Sequence, residues 1–374
     1  MRWVGTLVVP LAVAVLVGAS APQGFKDAGW TTMAQLARPR AYASATLLPT
    51  GEIFVFGGLD ENDPGVVNPA TELIDPLTDT LRVLEQPLPG RLHHTMTQVG
   101  GDRLVIAGGV EWYAKAFHSS DRVDVYLPFE HRWRRAAPLL QARSDHGAAA
   151  LRDGRVLVTG GNFGTVPLAS SELYDPKADR WTEAAPLPEP RVRFSIAPLR
   201  DGRVLVAGGL SKIGAPMKSS VIYDPAKDLW TPGPDMSVPR VQHAMVALRD
   251  GDVLIIGGQQ AAANTAERYD AARGVFTYAG ALVEPRLIEQ AAALPDGRVL
   301  ITGGSRQLPD RQDWVPVAGA EIWDPATNAW SEFASPSIAR ALGDLVVTGS
   351  DAYLIGGIGD GLSALRAIER LPLR

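Results

Sequence analysis

The chain of 374 residues contains no cysteine. That excludes disulfides, cysteine metal sites and a thiol nucleophile, and leaves the redox compartment undetermined by composition. There is no basic surplus either: 36 Lys and Arg face 41 Asp and Glu, for a formal charge of −5. A general nucleic-acid binder would show the opposite balance. No like-charge run or low-complexity tract marks a tail. No phosphate-cradling G-x-x-x-x-G-K-[ST] and no G-x-S-x-G nucleophile elbow occurs.

Long apolar runs are missing except at the N-terminus. Arg2 precedes an almost unbroken apolar stretch from Val4 to Val17, followed by Gly18, Ala19, Ser20 and Ala21. This order of charge, apolar run and small residues reads as a secretory signal peptide, residues 1–21, removed from a mature domain over 22–374. Cleavage after Ala19 is favoured, because a cut after Ala21 would place Pro22 at the bond. The run falls short of the ~20 residues of a membrane span. The mature chain is therefore expected outside the cytoplasm, secreted or periplasmic, with no span and as a monomer.

What is present is a frame used seven times. Arg40, Arg91, Arg143, Arg191, Arg240, Arg286 and Arg340 are followed by Gly-Gly pairs beginning at Gly57, Gly108, Gly160, Gly208, Gly257, Gly303 and Gly356. The separation is 17 residues in six copies and 16 in the last, and the copies recur at the spacing of propeller blades. The third copy shows the content. Arg143 to Leu151 alternates as strand a. Asp153-Gly154 makes a hairpin turn, and Arg155 to Thr159 is an apolar strand b. Ser170 to Tyr174 is strand c, Asp175-Pro176 turns the chain, and Trp181 opens strand d. Strand d is marked in other copies by Leu81, Trp133, Trp230, Phe276 and Trp330, each ten residues before the next Arg. Trp30 stands ten residues before Arg40, while the last copy ends after Ile368 to Leu371 without a strand d. The N-terminal strand is therefore predicted to complete the seventh blade. The expected fold is all-β: seven blades of four antiparallel strands around a channel, closed by N- and C-terminal strands.

The pattern R-x-x-H…DGRVLVxGG…ELYDP…W resembles the kelch repeat over residues 25–374, and Leu151 to Gly161 is similar to extracytoplasmic bacterial kelch proteins. The resemblance implies a propeller whose loop-bearing face binds a protein or sugar. Most kelch proteins are binding modules; a few are enzymes, among them galactose oxidase and a sialic-acid mutarotase. The copper site of the former needs a Cys–Tyr cross-link, which a chain without Cys cannot make. No cofactor and no metal are expected.

Length variation concentrates between strands b and c, so those loops are the place to seek function on a rigid scaffold. Trp112, Tyr113, Phe117 and His118 lie in the second loop, Phe163 in the third, Lys212 in the fourth, and Arg306, Arg311 and Trp314 in the sixth. Exposed aromatics beside Arg suit an interface or stacking on sugar rings, unless they pack back on their own loops. Arg193, which one copy alone carries, is a further candidate. The seven repeated Arg are assigned to the scaffold, against the alternative of a cationic rim, because a residue in every copy answers to what every blade shares. His94, His146 and His243, each three residues after such an Arg, are expected opposite the second Gly of their own pair rather than on a metal. Asp60–Asp63 reads as a solvated loop, and Glu289 as a variant of the His position. A protein- or glycan-binding module is the preferred reading, with no catalytic residue assigned. A non-redox sugar enzyme resembling the mutarotase, and a structural or adhesive surface protein, are the alternatives.

Overall fold

A computed structural model describes residues 29–373 except 60–66, 85–88, 260–261, 288–289 and 308–313. The proposed signal peptide, the Asp60–Asp63 cluster, Arg311 and Glu289 fall outside the described residues. Seven four-stranded antiparallel sheets are arranged as the blades of a propeller, with almost no helix. Blade 3 is representative: strand a Gly147–Ala150, strand b Val156–Thr159, strand c Ser171–Asp175 and strand d Arg180–Ala184. In blade 7, Asp344–Val347, Asp351–Ile355 and Ile368–Pro372 are joined by Thr31–Thr32, where Thr31 pairs with Arg370 and Thr32 with Glu369.

Strand b is the spine of each blade because its β-branched and apolar side chains are buried on both faces. Val156, Leu157 and Val158 point alternately into two neighbours: Val156 and Val158 pack on blade 2, and Leu157 on blade 4. Such clusters fill every interface, including the seam where Ile53 and Val55 of blade 1 meet Val346, Tyr353 and Ile355 of blade 7. The outer tryptophans tie blades together by a repeated bond. The indole N–H of Trp181, Trp230 and Trp330 donates to the carbonyl of Ala137, Ala185 and Ala279 in the preceding blade, at 2.8–2.9 Å. Trp30 does the same to Ala334, at 2.7 Å.

Strand a is shorter than the alternation predicts. In blade 3 it begins at Gly147 rather than Arg143, with Asp145 at φ +51° outside the β region; in blade 1 the strand Ala41–Leu47 instead runs through the equivalent Tyr42, at φ +56°, and its pairing skips that residue. The four residues from Arg143 to His146 instead form a loop on the face that also carries the b–c connections. Backbone bridges pin these two loop families together, with Leu92 on Val110, Ser144 on Asn162, Val192 on Leu210, Leu287 on Ser305 and Ala341 on Ile358. Three b–c loops grow into extra hairpins: Val110–Tyr113 with Ala116–Ser119, Asn162–Phe163 with Val166–Pro167, and Ser305–Gln307 with Trp314–Pro316.

Candidate functional site

The repeated arginines lie beneath the loop face, not on it. All seven are at most 2% exposed. Each donates from Nη1 to the carbonyl of the first Gly of its pair, at 2.8–3.2 Å. The same nitrogen reaches the carbonyl that precedes strand c in blade 3, where Ser170 O is 3.0 Å from Arg143. Nη2 meets a buried carboxylate on strand c: Glu72, Asp124, Glu172, Glu267, Glu321 and Glu369 serve Arg40, Arg91, Arg143, Arg240, Arg286 and Arg340. The guanidinium thus fastens strand a, the Gly-Gly turn and strand c of one blade, and none is turned outward to a ligand.

Blade 4 solves the problem differently. Val221 stands where the other blades carry the acid, and Arg191 relies on Ser219 O and Oγ, both at 2.8 Å, with Glu189 more distant at 3.6 Å. Burial, opposed by Glu189 alone, lowers the Arg191 pKa to about 10, so it stays cationic at neutral pH. A second change accompanies the first. In blade 3 the backbone N–H groups of Leu140 and Gln141 donate to Glu172, at 2.7 and 3.1 Å. In blade 4 the residue matching Leu140 is Pro188, which has no N–H to satisfy. The acid and one of its backbone donors are absent together.

The histidines bridge blades. The Cβ of His94 and His146 lies against the second Gly of its own pair, Gly109 or Gly161, as far as the expectation went. The ring, however, reaches the first Gly of the preceding blade: Cε1 of His94, His146 and His243 lies over Gly57, Gly108 and Gly208. Phe194 fills the equivalent slot over Gly160. Gly is required at these places because a Cβ on Gly108 would sit 2.7 Å from the His146 ring at φ +63°. Burial first, and then the neighbouring Arg143 or Arg240, lower the pKa of His146 and His243 to about 3; His94 is shifted down for the same reasons, with Arg91 beside it. These are neutral spacers.

Of the loop candidates, four come together. Trp112 packs on Phe117 with ring centroids 4.7 Å apart, and Tyr113 stacks on His118 at 4.0 Å. Each pair is closed within the blade 2 hairpin, yet Tyr113 and Phe117 remain 55% and 44% exposed. The blade 3 hairpin adjoins it, since Gly164 N donates to Ser119 Oγ at 2.9 Å, and it adds exposed Phe163 and Val166. Trp314 and Arg306 belong to the separate blade 6 hairpin, where Arg306 Nε lies 3.3 Å from Glu284. Lys212 is exposed on a turn of blade 4 between Ser211 and Ala215.

Arg193 belongs to a feature that sequence reasoning missed. Tyr42, His93, Asp145, Arg193, Gln242 and Leu342 each follow a repeated Arg by two residues, and each has φ between +51° and +56°. For non-glycine residues such angles cost about 1–3 kcal/mol each and persist only where the surroundings impose them. Here the imposition is mutual. Tyr42 N donates to Leu342 O, Asp145 N to His93 O and Arg193 N to Asp145 O, at 3.0, 3.3 and 3.4 Å. The strands a of successive blades adjoin around the centre, so these residues form a collar at the channel mouth. Side chains continue the arc. The Tyr42 and His93 rings are 5.3 Å apart, His93 Nδ1 is 3.2 Å from Asp145 Oδ1, and Asn162 Nδ2 is 3.5 Å from Asp145 Oδ2. Burial pushes the Asp145 carboxyl up, but the His93 bond and charge, then Arg193 and Asn162, outweigh it and hold it below its ordinary value.

The sequence model of the kelch motif matches residues 142–188, which is most of blade 3. Human Kelch-like protein 33 is 35% identical over 91 residues, 24% of this chain and 16% of that protein, so the chain spans only a small part of that relative's length. Among solved structures, a fungal alcohol oxidase of the AA5 family, in complex with copper, superposes with a TM-score of 0.74 at 17% identity, over 92% of this chain and 76% of that one. That likeness concerns the fold. The chain has no Cys, and among the described residues no three His, Asp or Glu side chains converge as metal ligands.

Proposed function

We propose that this β-propeller, whose third blade matches the kelch motif, acts as a binding module outside the cytoplasm, taking a protein partner on its loop-bearing face. The observation that carries the reading is the paired hairpins of blades 2 and 3. They hold Tyr113, Phe117, Phe163 and Val166 in solvent on a base locked by strand bridges. Rigid, half-exposed aromatics that need little ordering on contact are the residues that dominate protein interfaces. The short a–b turns of the opposite face, such as Asp153-Gly154 and Asp201-Gly202, offer no such surface.

The location outside the cytoplasm rests on the charged and apolar pattern of residues 1–21, and N-terminal sequencing of the exported chain should give Ser20. Recovery of intact Met1 in the cytosolic fraction would count against it. For binding, partners cross-linked to the exported protein are purified and titrated. Tyr113→Ser with Phe117→Ser should weaken the complex at least about tenfold. Tyr278→Ser, which alters an exposed side chain on the outer strand of blade 5, should not. Equal affinity for all three proteins would remove the hairpins from the interface.

A further inference from the structure

Strand a of each blade adjoins strand a of the next, and one position there sends a side-chain bond across the boundary. It lies four residues after the repeated Arg. Thr95 Oγ1 is 3.0 Å from His146 Nε2, Ser195 Oγ donates to His243 O at 2.8 Å, and Gln290 Nε2 donates to Gly343 O at 3.0 Å. In blade 7 the position is Asp344. Its Oδ2 accepts from Ala45 N of blade 1 at 2.6 Å, and its Oδ1 accepts from Leu345 N at 2.9 Å. The other blades place Ser44, Thr95, Gly147, Ser195, Ala244 and Gln290 there, so blade 7 alone carries an ionisable side chain. The boundary it spans is also distinctive. Elsewhere strand d of one blade runs directly into strand a of the next. Strands a, b and c of blade 7 meet blade 1 with no covalent link, because strand d of blade 7 is the N-terminal Thr31–Thr32, only two residues long.

We propose that the Asp344 contact is a pH-sensitive latch on the ring: protonated, it holds blades 7 and 1 together, and ionised, it lets this seam open before any other. Two backbone N–H groups are its partners, and among the described residues no cation pairs with it. The facing strand Ala41–Leu47 brings one titratable group, Tyr42, which packs with Leu342 and Ile358. Strand b of blade 7 brings Asp351, held by Arg370 Nε at 2.7 Å, and Tyr353, raised to about 12 by burial. Strand Ala291–Ala293 of blade 6 brings none. A carboxylate so placed is penalised for its charge. Burial raises its pKa to about 7, against the two N–H bonds. The closed-state value thus lies above that of an exposed Asp, about 4. The closed seam is therefore fully favoured below about pH 4 and loses that advantage as pH rises to about 7. The latch lies away from the hairpins of blades 2 and 3, so it stands whether or not they bind a partner.

Opening is read on the full chain by hydrogen exchange with mass spectrometry at pH 5 and pH 7, after correction for the intrinsic pH dependence of exchange. Exchange over 41–47 should rise roughly tenfold to a hundredfold between the two. Strand Ser195–Pro198, whose cross-blade bond comes from a hydroxyl, should show no such rise. Asp344→Asn and Asp344→Ser, the second copying blade 4, should each abolish the rise over 41–47. The parent comparison decides by itself if either variant fails to fold. No rise over 41–47 in the parent, an equal rise over 195–198, or a rise retained in a folded variant would each overturn the latch.

Discussion

Blade 4 suggests how to dismantle the arginine clasp of blade 3. Glu172→Val copies the Val221 solution in half. It leaves the Arg143 guanidinium buried with Ser170 and Gly160 oxygens but without its counter-charge, and strands the N–H groups of Leu140 and Gln141. Removing one partner of a buried pair costs about 3–5 kcal/mol. Burying the valine side chain returns about 1.5 kcal/mol or more. The expected net loss is therefore about 1.5–3.5 kcal/mol. Leu140→Pro alone removes a donor to Glu172 and should cost about 1 kcal/mol, the side chain itself being 57% exposed. In the double variant the proline removes a stranded donor instead. The second change should then cost nothing or recover about 1 kcal/mol, giving a coupling of about 1–2 kcal/mol. Urea denaturation of the four proteins followed by tryptophan fluorescence measures the cycle. Strictly additive costs, or a Glu172→Val loss below about 0.5 kcal/mol, would refute the view that acid and backbone donor form one unit.

Three further outcomes follow from the same geometry. The buried histidines have folded pKa values below their unfolded ones, so the unfolded chain takes up protons first as pH falls. Stability should decline from about pH 6.5 toward about 3 by up to about 1.4 kcal/mol per pH unit for His146, and His146→Phe, which copies Phe194, should flatten that decline. Asp344, pushed up to about 7 by burial while it accepts from Ala45 N across the blade 7–blade 1 seam, has the opposite sign. Its penalty grows as pH rises from about 4 to about 7, so Asp344→Asn should raise Tm at pH 8 and change it little at pH 4. Finally, Gly161→Ala would drive a Cβ into Ser144 O and within 2.7 Å of the His146 Cβ, whereas a Cβ on Gly154 meets nothing within 4 Å. Both positions have positive φ, so Gly154→Ala should cost about 1–2 kcal/mol, and Gly161→Ala should cost clearly more or prevent folding, read from soluble yield and Tm.

The propeller was legible because its signals have fixed spacing. The Arg to Gly-Gly distance holds at 17 residues in six copies and 16 in the last, Asp-Gly turns mark four copies, and outer tryptophans mark five. The acid on strand c was hidden by the variable b–c loop: counted from Arg it falls 29 residues on in blade 3 and 35 in blade 6. Counted backward from the Asp-Pro turn it stands three residues earlier in blades 1, 3 and 6, as Glu72 before Asp75, Glu172 before Asp175 and Glu321 before Asp324. The collar left no compositional trace, because Tyr42, His93, Asp145, Arg193, Gln242 and Leu342 share a backbone angle and no chemistry. Arg193 is unrepeated, and that is the property that marks the whole ring. The loop aromatics were visible as residue types, but their pairing, Trp112 with Phe117 and Tyr113 with His118, depends on a hairpin that the sequence did not announce.

The claim that recognition belongs to the loop face, with the arginine frame beneath it as scaffold, is tested most directly by hydrogen exchange on the mature chain with and without its cross-linked partner. Added protection is predicted in the hairpins over 110–119 and 162–167, with the a–b turns at Asp153-Gly154 and Asp201-Gly202 unchanged. Protection confined to those turns, with the hairpins exchanging as before, would contradict it.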